Sequence, residues 1–236
     1  MDVITLDNII YSLQRAGGIS VYWTELLSRM IRDDYNLYFH ENTNVRNNIF
    51  RKKLSLQMDH ITHNNIIPLF IQRYLPLITQ MKFGIFHSSY YRLPVFYKGK
   101  TIITLFDFTY EKYRKGLPRL IHSMQKYNAL KYADGVICIS DSTKKDLLEI
   151  MPSFPENKLS VIHLGVSSDF SCNFQNIPIQ FLNTIQIIKK PYLVFVGDRK
   201  GYKKFDIVVQ AMLDLKNYHL VIIGGGDLDI ELQHLN

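Results

Sequence analysis

The sequence predicts an α/β fold: a Rossmann-like parallel-sheet domain at the amino terminus, followed by the start of a second Rossmann-like domain. Three observations predict it. Short apolar, β-branched runs alternate with amphipathic stretches along the chain. Most of the runs are apolar without alternation, as in strands covered on both faces. A break in composition after Gly165 separates one long β–α series from a second, shorter one.

Taken in order, Val3–Leu6 is β-rich, and Gly17-Gly18 then opens a stretch from Ile19 to Ile31. There Ile19, Trp23, Leu26, Leu27 and Met30 recur at helical spacing and form one apolar stripe. Leu37–Phe39 reads as a strand, and residues 42–65 as a polar loop with a short helix. Gly84–His87, Thr101–Phe106, Gly135–Ile139 and Leu159–His163 read as buried strands. Between them, Leu117–Ala133 is helical, and a further helix begins with Ser140 or Ser142 as its cap and stops at Pro152. Residues 167–190 mix Ser, Asn, Gln and Pro without a clean period, which suits a connector. Tyr192–Val196 is a new strand. Phe205, Val208, Val209, Met212 and Leu213 then share a helical face, and His219–Ile223 is a strand ending in Gly224-Gly225-Gly226. The domains are therefore 1–168, a linker 169–190, and 191–236 as the opening of the second domain. One β–α–β unit does not close a sheet by itself, so the sequence reads as carboxy-terminally truncated.

The 236 residues are 47% hydrophobic and 21% charged, an ordinary globular composition that argues against a disordered chain. The net charge of +7 suits phosphate-rich ligands, anionic lipid or nucleic acid, and also suits a protein with no polyanionic partner. Two cysteines, Cys138 and Cys172, form no CxxC pair, which points to a reducing compartment. The first residues carry Asp2 and Asp7 and lack a basic start before an apolar core, and the longest apolar run, 66–78, contains Gln72 and Arg73. A cytoplasmic protein is the expectation.

Ligands of open parallel sheets bind beyond the carboxyl ends of the strands. Six groups of unusual residues are expected on that edge: Gly17-Gly18, His87-Ser88-Ser89, Asp107, Ser140-Asp141-Ser142, Gly165 and Gly197-Asp198-Arg199. Gly17-Gly18 either brings backbone N–H groups close to a ligand at a helix start or makes a tight turn. His87 either hydrogen-bonds a sugar or phosphate or is structural, and Asp107 either binds hydroxyls or caps the next turn. The run Gly197-Asp198-Arg199-Lys200-Gly201-Tyr202-Lys203-Lys204 is the strongest local signal. Its glycines allow a close loop, and Arg199 and Lys203 suit a diphosphate, neutralising charge on a leaving group without a metal. A solvated basic turn is the plainer alternative. GxGxxG is absent, because Asp229 stands where the last glycine would be, and so are GxxxxGK[ST] and GxSxG. His60 and His63 lack further ligands nearby, so no zinc site is expected.

In this order the segments resemble retaining glycosyltransferases of family 4, with the GT-B fold. Gly17-Gly18-Ile19-Ser20-Val21-Tyr22 is similar to the family's first glycine-rich loop, and Phe86-His87-Ser88-Ser89-Tyr90-Tyr91 to its aromatic-flanked segment. Thr104-Leu105-Phe106-Asp107, Ala133–Ser140 with Ser142–Leu147, Val161–Val166, and Phe195–Arg199 with Lys203 are similar to later segments. The resemblance implies transfer of a hexose such as mannose from a nucleotide-sugar to a glycan or lipid-linked acceptor, in bacterial surface polysaccharide synthesis, with no cofactor or metal. It implies Asp107 and His87 as catalytic candidates. Arg199, Lys203, Gly197, Gly18 and Gly17 would bind the donor, and Ser88, Tyr90, Ser140 and Gly165 would line the acceptor cleft. It also implies that Lys112, Arg114, Lys115 and Arg119, interleaved with Tyr110 and Tyr113, touch the anionic inner face of the plasma membrane, or else form a solvated helix face. Two departures stand out. Phe106 occupies the position of a family histidine, and the family's paired glutamates have no counterpart before Asn236. A remnant or partner subunit that binds sugar or nucleotide without turnover is the alternative. Nucleic-acid binding is suggested by charge alone, with no recognised motif.

Overall fold

The computed structural model describes residues 3–63, 67–167, 191–199 and 201–225. It divides into two compact units, Met1–Ser167 and Ser168–Asn236. The linker expected over 169–190 falls wholly outside the described residues, as do Cys172 and Gly226.

In the first unit the chain runs β1 (Ile4–Asp7), α1 (Ile10–Leu13), α2 (Gly18–Arg32), β2 (Leu37–Glu41), three short 3-10 turns, β3 (Ile61–His63), α3 (Leu69–Gln72) and β4 (Leu77–Ile78). It continues through β5 (Ile85–Ser88), β6 (Pro94–Val95), β7 (Lys100–Leu105), α4 (Thr109–Tyr113), α5 (Leu117–Tyr132), β8 (Gly135–Cys138), α6 (Asp141–Ile150) and β9 (Leu159–Val161). Seven strands form one sheet in the order β3-β2-β1-β5-β7-β8-β9, and every pairing is parallel. The expected strands are present, most of them trimmed or shifted by a residue or two. The polar loop over 42–65 gains β3 and the 3-10 turns, and the small β4–β6 ladder and α4 are additions to the sequence reading.

Strand alternation decides what each face meets. On β7, Ile103 and Leu105 join Ala129 and Leu130 of α5, Val136 and Cys138 of β8 and Leu147 of α6 in one buried cluster. Thr104, between them, turns to the other face and bonds Tyr22 of α2. Leu6 on β1 packs with Trp23 and Leu27 of α2 in a second cluster that includes Leu37 and Phe39 of β2. Helices therefore cover both faces, which is why these strands read as unbroken apolar runs. Trp23, Leu27, Leu6, Ile103, Leu105 and Cys138 are each fully buried, and a buried Leu or Ile contributes roughly 1.5–3 kcal/mol. Cys138 has its thiol pushed up to about 11 by burial.

The second unit contains β10 (Tyr192–Val196), α7 (Phe205–Asp214) and β11 (His219–Ile223), with β10 and β11 parallel and in register from Tyr192↔His219 to Val196↔Ile223. Phe195 and Phe205 meet at 4.8 Å between ring centroids and join strand to helix.

Candidate functional site

The order of the first sheet puts its topological switch between β1 and β5, because the chain proceeds outward from β1 in one direction and from β5 in the other. Ligands of such sheets enter at the carboxyl side of that switch. The loop after β1 leads to Gly17, which caps α2 with an extended backbone, and Gly18 is the first helical residue, exposed with open space where a side chain would stand. No side chain caps this helix; Ser20 Oγ donates instead to the Gly17 carbonyl, at 2.9 Å. The first-turn N–H groups of a 15-residue helix are thus left to a ligand or solvent, at the positive end of its dipole.

A buried polar lattice holds this loop in place. Trp23 Nε1 donates to Asn8 Oδ1 at 2.7 Å, and Asn8 Nδ2 donates to Glu41 Oε1 at 2.8 Å. Arg51 grips Glu41 with both Nε and Nη2, at 2.6 and 2.9 Å. Asn48 Nδ2 donates to the Gln14 carbonyl at 2.7 Å, just ahead of the glycines. Beside it, Asp7 accepts from Ser88 Oγ at 3.1 Å and from Arg92 Nη1 at 3.2 Å, while Ser89 Oγ donates to the Asp7 carbonyl at 2.6 Å. The sequence reading missed this lattice. Its one signal was a dense set of Asp, Asn and Glu at the ends of the first two strands.

The lattice revises two site candidates. Ser88 is buried; its hydroxyl donates to Asp7 and accepts from the Tyr90 and Arg92 N–H groups, so it braces the β5 exit rather than lining an opening. His87 is 7% exposed, stands edge-on to Trp23 at 4.9 Å, and shares a 2.9 Å hydrogen bond with Thr104 Oγ1. Burial lowers its pKa to about 4, so the ring is neutral near pH 7. As placed, it ties β5 to β7 and α2.

The β7 exit carries Phe106 and Asp107. Phe106 lies edge-on to Tyr22, with centroids 5.2 Å apart. Asp107 is exposed; its Oδ1 accepts from the Thr109 N–H at 2.8 Å, closing the turn that leads into α4, and its second oxygen has no hydrogen-bond partner among the described residues. Lys126, fully buried, donates to the Asp107 carbonyl and to Glu111 Oε2, both at 2.8 Å, and lies 4.8 Å from the Phe108 ring centroid. Burial raises the Glu111 carboxyl, but the Lys126 bond and charge bring it below its usual range; burial lowers the Lys126 ammonium. The turn bearing Asp107 is therefore anchored from inside. Ser140, not Ser142, caps α6 by accepting from the Thr143 N–H at 3.1 Å, and Thr143 Oγ1 donates to the Phe106 carbonyl at 3.1 Å. Tyr90 is half-buried and accepts from Arg73 Nη2 at 2.6 Å, with its own hydroxyl pKa pushed up to about 12 by burial. Gly165 is exposed, beyond the end of β9. Five of the six residue groups expected on one edge thus belong to the first sheet, and Gly197 belongs to the second unit.

In that second unit, β10 ends at Gly197 (φ 139°) and β11 at Gly224 and Gly225 (φ 98° and 84°). A side chain at Gly197 would stand 3.8 Å from Lys203 Cε, and one at Gly225 would stand 3.0 Å from Arg199 Cγ. The stems of both cationic side chains therefore lie over glycines at adjoining strand tips. Gly201 and Lys204 take left-handed backbone (φ 76° and 52°), which turns the loop into α7. Lys203 Nζ lies 5.2 Å from the Tyr202 ring centroid. The arrangement is a short basic loop that can meet an anionic ligand with two cations and glycine backbone. Among the described residues no group of three or more His, Cys, Asp or Glu is placed to hold a metal ion.

The model of the family described as Glycosyltransferase Family 4 matches residues 16–170. No curated protein matches the sequence. Among solved structures, the chain is similar to Anabaena Alr3699/HepE in complex with UDP and glucose, at 12% identity and TM-score 0.62. That match covers 99% of this chain and 63% of the HepE chain, so this chain spans less than two thirds of it. Anabaena Alr3699/HepE in complex with UDP-glucose matches at 12% identity and TM-score 0.51, covering 95% of this chain and 70% of that one. At such identities the likeness is one of fold, and the fold is that of a GT-B glycosyltransferase.

Proposed function

This chain belongs to glycosyltransferase family 4, and from that premise we propose that it transfers a hexose from a nucleoside diphosphate sugar to a hydroxyl of a glycan or lipid-linked acceptor, with retention at the anomeric carbon. The observation that carries the reading is the basic loop after β10, where Arg199 and Lys203 lie over glycines at two strand tips. The acceptor oxygen bonds to the anomeric carbon as the bond from that carbon to the diphosphate oxygen breaks, the hydroxyl proton passes to the departing diphosphate, and the two cations neutralise the charge that grows there. Within the first unit, the uncapped start of α2 at Gly17 and Gly18 offers N–H groups to an anionic ligand, and Asp107, at an exposed turn, lines the acceptor side with Tyr90, Ser140 and Gly165. UDP-glucose is the first donor to try, because HepE is described in complex with it; a mannose nucleotide is the second. Bacterial surface polysaccharide is the pathway the family resemblance suggests.

Binding of UDP and UDP-glucose by calorimetry tests this. Arg199→Ala and Lys203→Ala should each weaken binding about 10- to 100-fold, in line with roughly 1.5–3 kcal/mol for a charge-assisted hydrogen bond. Unchanged affinity in both variants would remove the basic loop from the donor site.

The same reading puts the chain at the cytoplasmic face of an anionic membrane. No helix among the described residues is long and apolar enough to cross a bilayer. Lys112 pairs with Asp146 at 2.6 Å, and Tyr110 stacks on His122 at 4.0 Å, so these two residues are already engaged within the protein. Arg114, Lys115 and Arg119 remain exposed, and beside them so do Tyr113, Leu117, Leu120 and Met124. That mixture suits shallow insertion among anionic headgroups. Co-sedimentation with phosphatidylglycerol vesicles that fades with salt, and not with phosphatidylcholine vesicles, is the expected result.

A further inference from the structure

At the opposite edge of the first sheet from its carboxyl ends, a cavity of about 420 Å³ opens where α2 turns into β2 and the chain enters β3. That volume lies within the range of small-molecule clefts, roughly 300–1,000 Å³. Leu37, which lines the cavity, starts β2, and Glu41 ends it four residues and roughly 13 Å further along the strand. Its floor is apolar, with Ile31, Leu37, Phe39 and Leu56. Its rim carries Asp34, Asn36, Ser55 and Gln57, all exposed and none engaged by a side-chain hydrogen bond among the described residues. Tyr35 adds an aromatic ring that is 46% exposed.

His60 completes the lining with a defined hydrogen-bonding face. Its Nδ1 lies 2.9 Å from the Leu37 carbonyl, which can only accept, so Nδ1 is the donor and Nε2 is left to meet a ligand hydroxyl. Tyr38 stacks on the ring at 4.5 Å and 13°, fixing its plane.

The lining selects against other ligand classes. No Lys or Arg lines the cavity, Asp34 is acidic, and the carboxyl end of α2 adds partial negative charge, so phosphates and nucleotides are disfavoured. A purely apolar ligand would strip solvent from the four rim side chains without replacing their hydrogen bonds. A neutral ring with one C–H face and many hydroxyls satisfies both parts: the face rests on the floor or on Tyr35, and the hydroxyls meet Asp34, Asn36, Gln57 and His60 Nε2. We infer that this cavity is a second carbohydrate subsite that holds a neutral pyranose unit of a glycan, apart from the candidate donor site. The choice of a glycan among neutral polyols rests on the glycosyltransferase reading above.

The test uses the whole chain and saturation-transfer NMR with maltose and α-1,3-mannobiose as probes, in the absence and presence of UDP. At least one disaccharide should give a saturable signal that UDP leaves unchanged. Tyr35→Ala and Gln57→Ala should each weaken it about tenfold, and Asp34→Asn, which tolerates the left-handed backbone at this position (φ 56°), gives a third variant with little risk to folding. No saturable signal up to about 20 mM of either probe, a Kd weaker than roughly 2.3 kcal/mol of binding, would overturn the inference. So would a signal that UDP displaces, or one that none of the three variants alters. The two readings fail separately. A chain that binds UDP-glucose through Arg199 and shows no Tyr35-dependent disaccharide signal loses only the second subsite. A Tyr35-dependent signal in a chain that binds no nucleotide retains it.

Discussion

The two units use the same β–α–β grammar with opposite results for their strands. In the first unit, Leu6, Phe86, Ile103 and Leu105 are 0% exposed, and helices cover both faces of the sheet at its inner strands. In the second, Val194 and Val196 on β10 and Ile223 on β11 are 50%, 66% and 54% exposed, and Ile207 and Leu213 on α7 are 57% and 62% exposed. The difference teaches that an apolar run in sequence states what a strand can bury, while the number of neighbours decides what it does bury. It also separates two kinds of functional residue. The first unit fixes its loops through buried polar lattices; the second lays its cations on glycines at strand tips.

The largest effect should come from the lattice of the first unit. Lys126→Met leaves Glu111 buried without its partner and should cost about 3–5 kcal/mol, while the double variant with Glu111→Leu should recover most of that loss. Urea denaturation measures both, and equal stability of wild type and the single variant would mean that the pair is solvated. A similar cost, about 3–5 kcal/mol, is expected for Trp23→Ala, which opens the α2 interface and orphans Asn8 Oδ1.

Acid comes next. His87 has a folded pKa of about 4 against an unfolded value near 6.5, so below that value the unfolded chain takes up a proton the folded one refuses. Stability from this group is complete above about pH 6.5 and declines as pH falls towards about 4. His122, also lowered to about 4 by burial first and Lys126 second, adds to the same slope. His87→Gln should flatten the pH dependence of stability across that window, and an unchanged slope would show that His87 is not neutral in the folded state. Ser140→Ala should cost about 1 kcal/mol through the lost α6 cap. Smallest of all, Val194→Thr in the second unit should change stability by no more than about 0.5 kcal/mol. A cost several times larger would break the comparison, because it would mean that β10 is covered.

The fold was legible where burial on two faces leaves an unbroken apolar run, as in Ile102, Ile103 and Leu105; Tyr192–Val196 was legible from the same kind of run, although β10 is largely exposed. It was less legible where short elements depend on tertiary partners: the turn into α4 is closed by Asp107 and held by Lys126, and β4 and β6 pair with one another over two residues. The candidate site divides the same way. Arg199 and Lys203 stood out because two glycines flank Arg199 and a strand precedes it. His87 stood out for its chemistry, but its side of the sheet depends on the register Leu6↔His87, which no local pattern reveals. Glu111 and Lys126 are fifteen residues apart and become a pair only when α4 folds back on α5.

Cys138 gives the first unit its own clock. Its thiol sits at the last position of β8, an inner strand next to the edge strand β9, with 0% exposure, so an alkylating reagent reaches it only when the sheet parts. In a Cys172→Ser background, the ratio of the labelling rate to that of an unstructured cysteine peptide reports how often those strands separate. A saturating ligand that bridges the β1–β5 crevice should slow labelling in proportion to its occupancy, giving a readout of binding that needs no turnover.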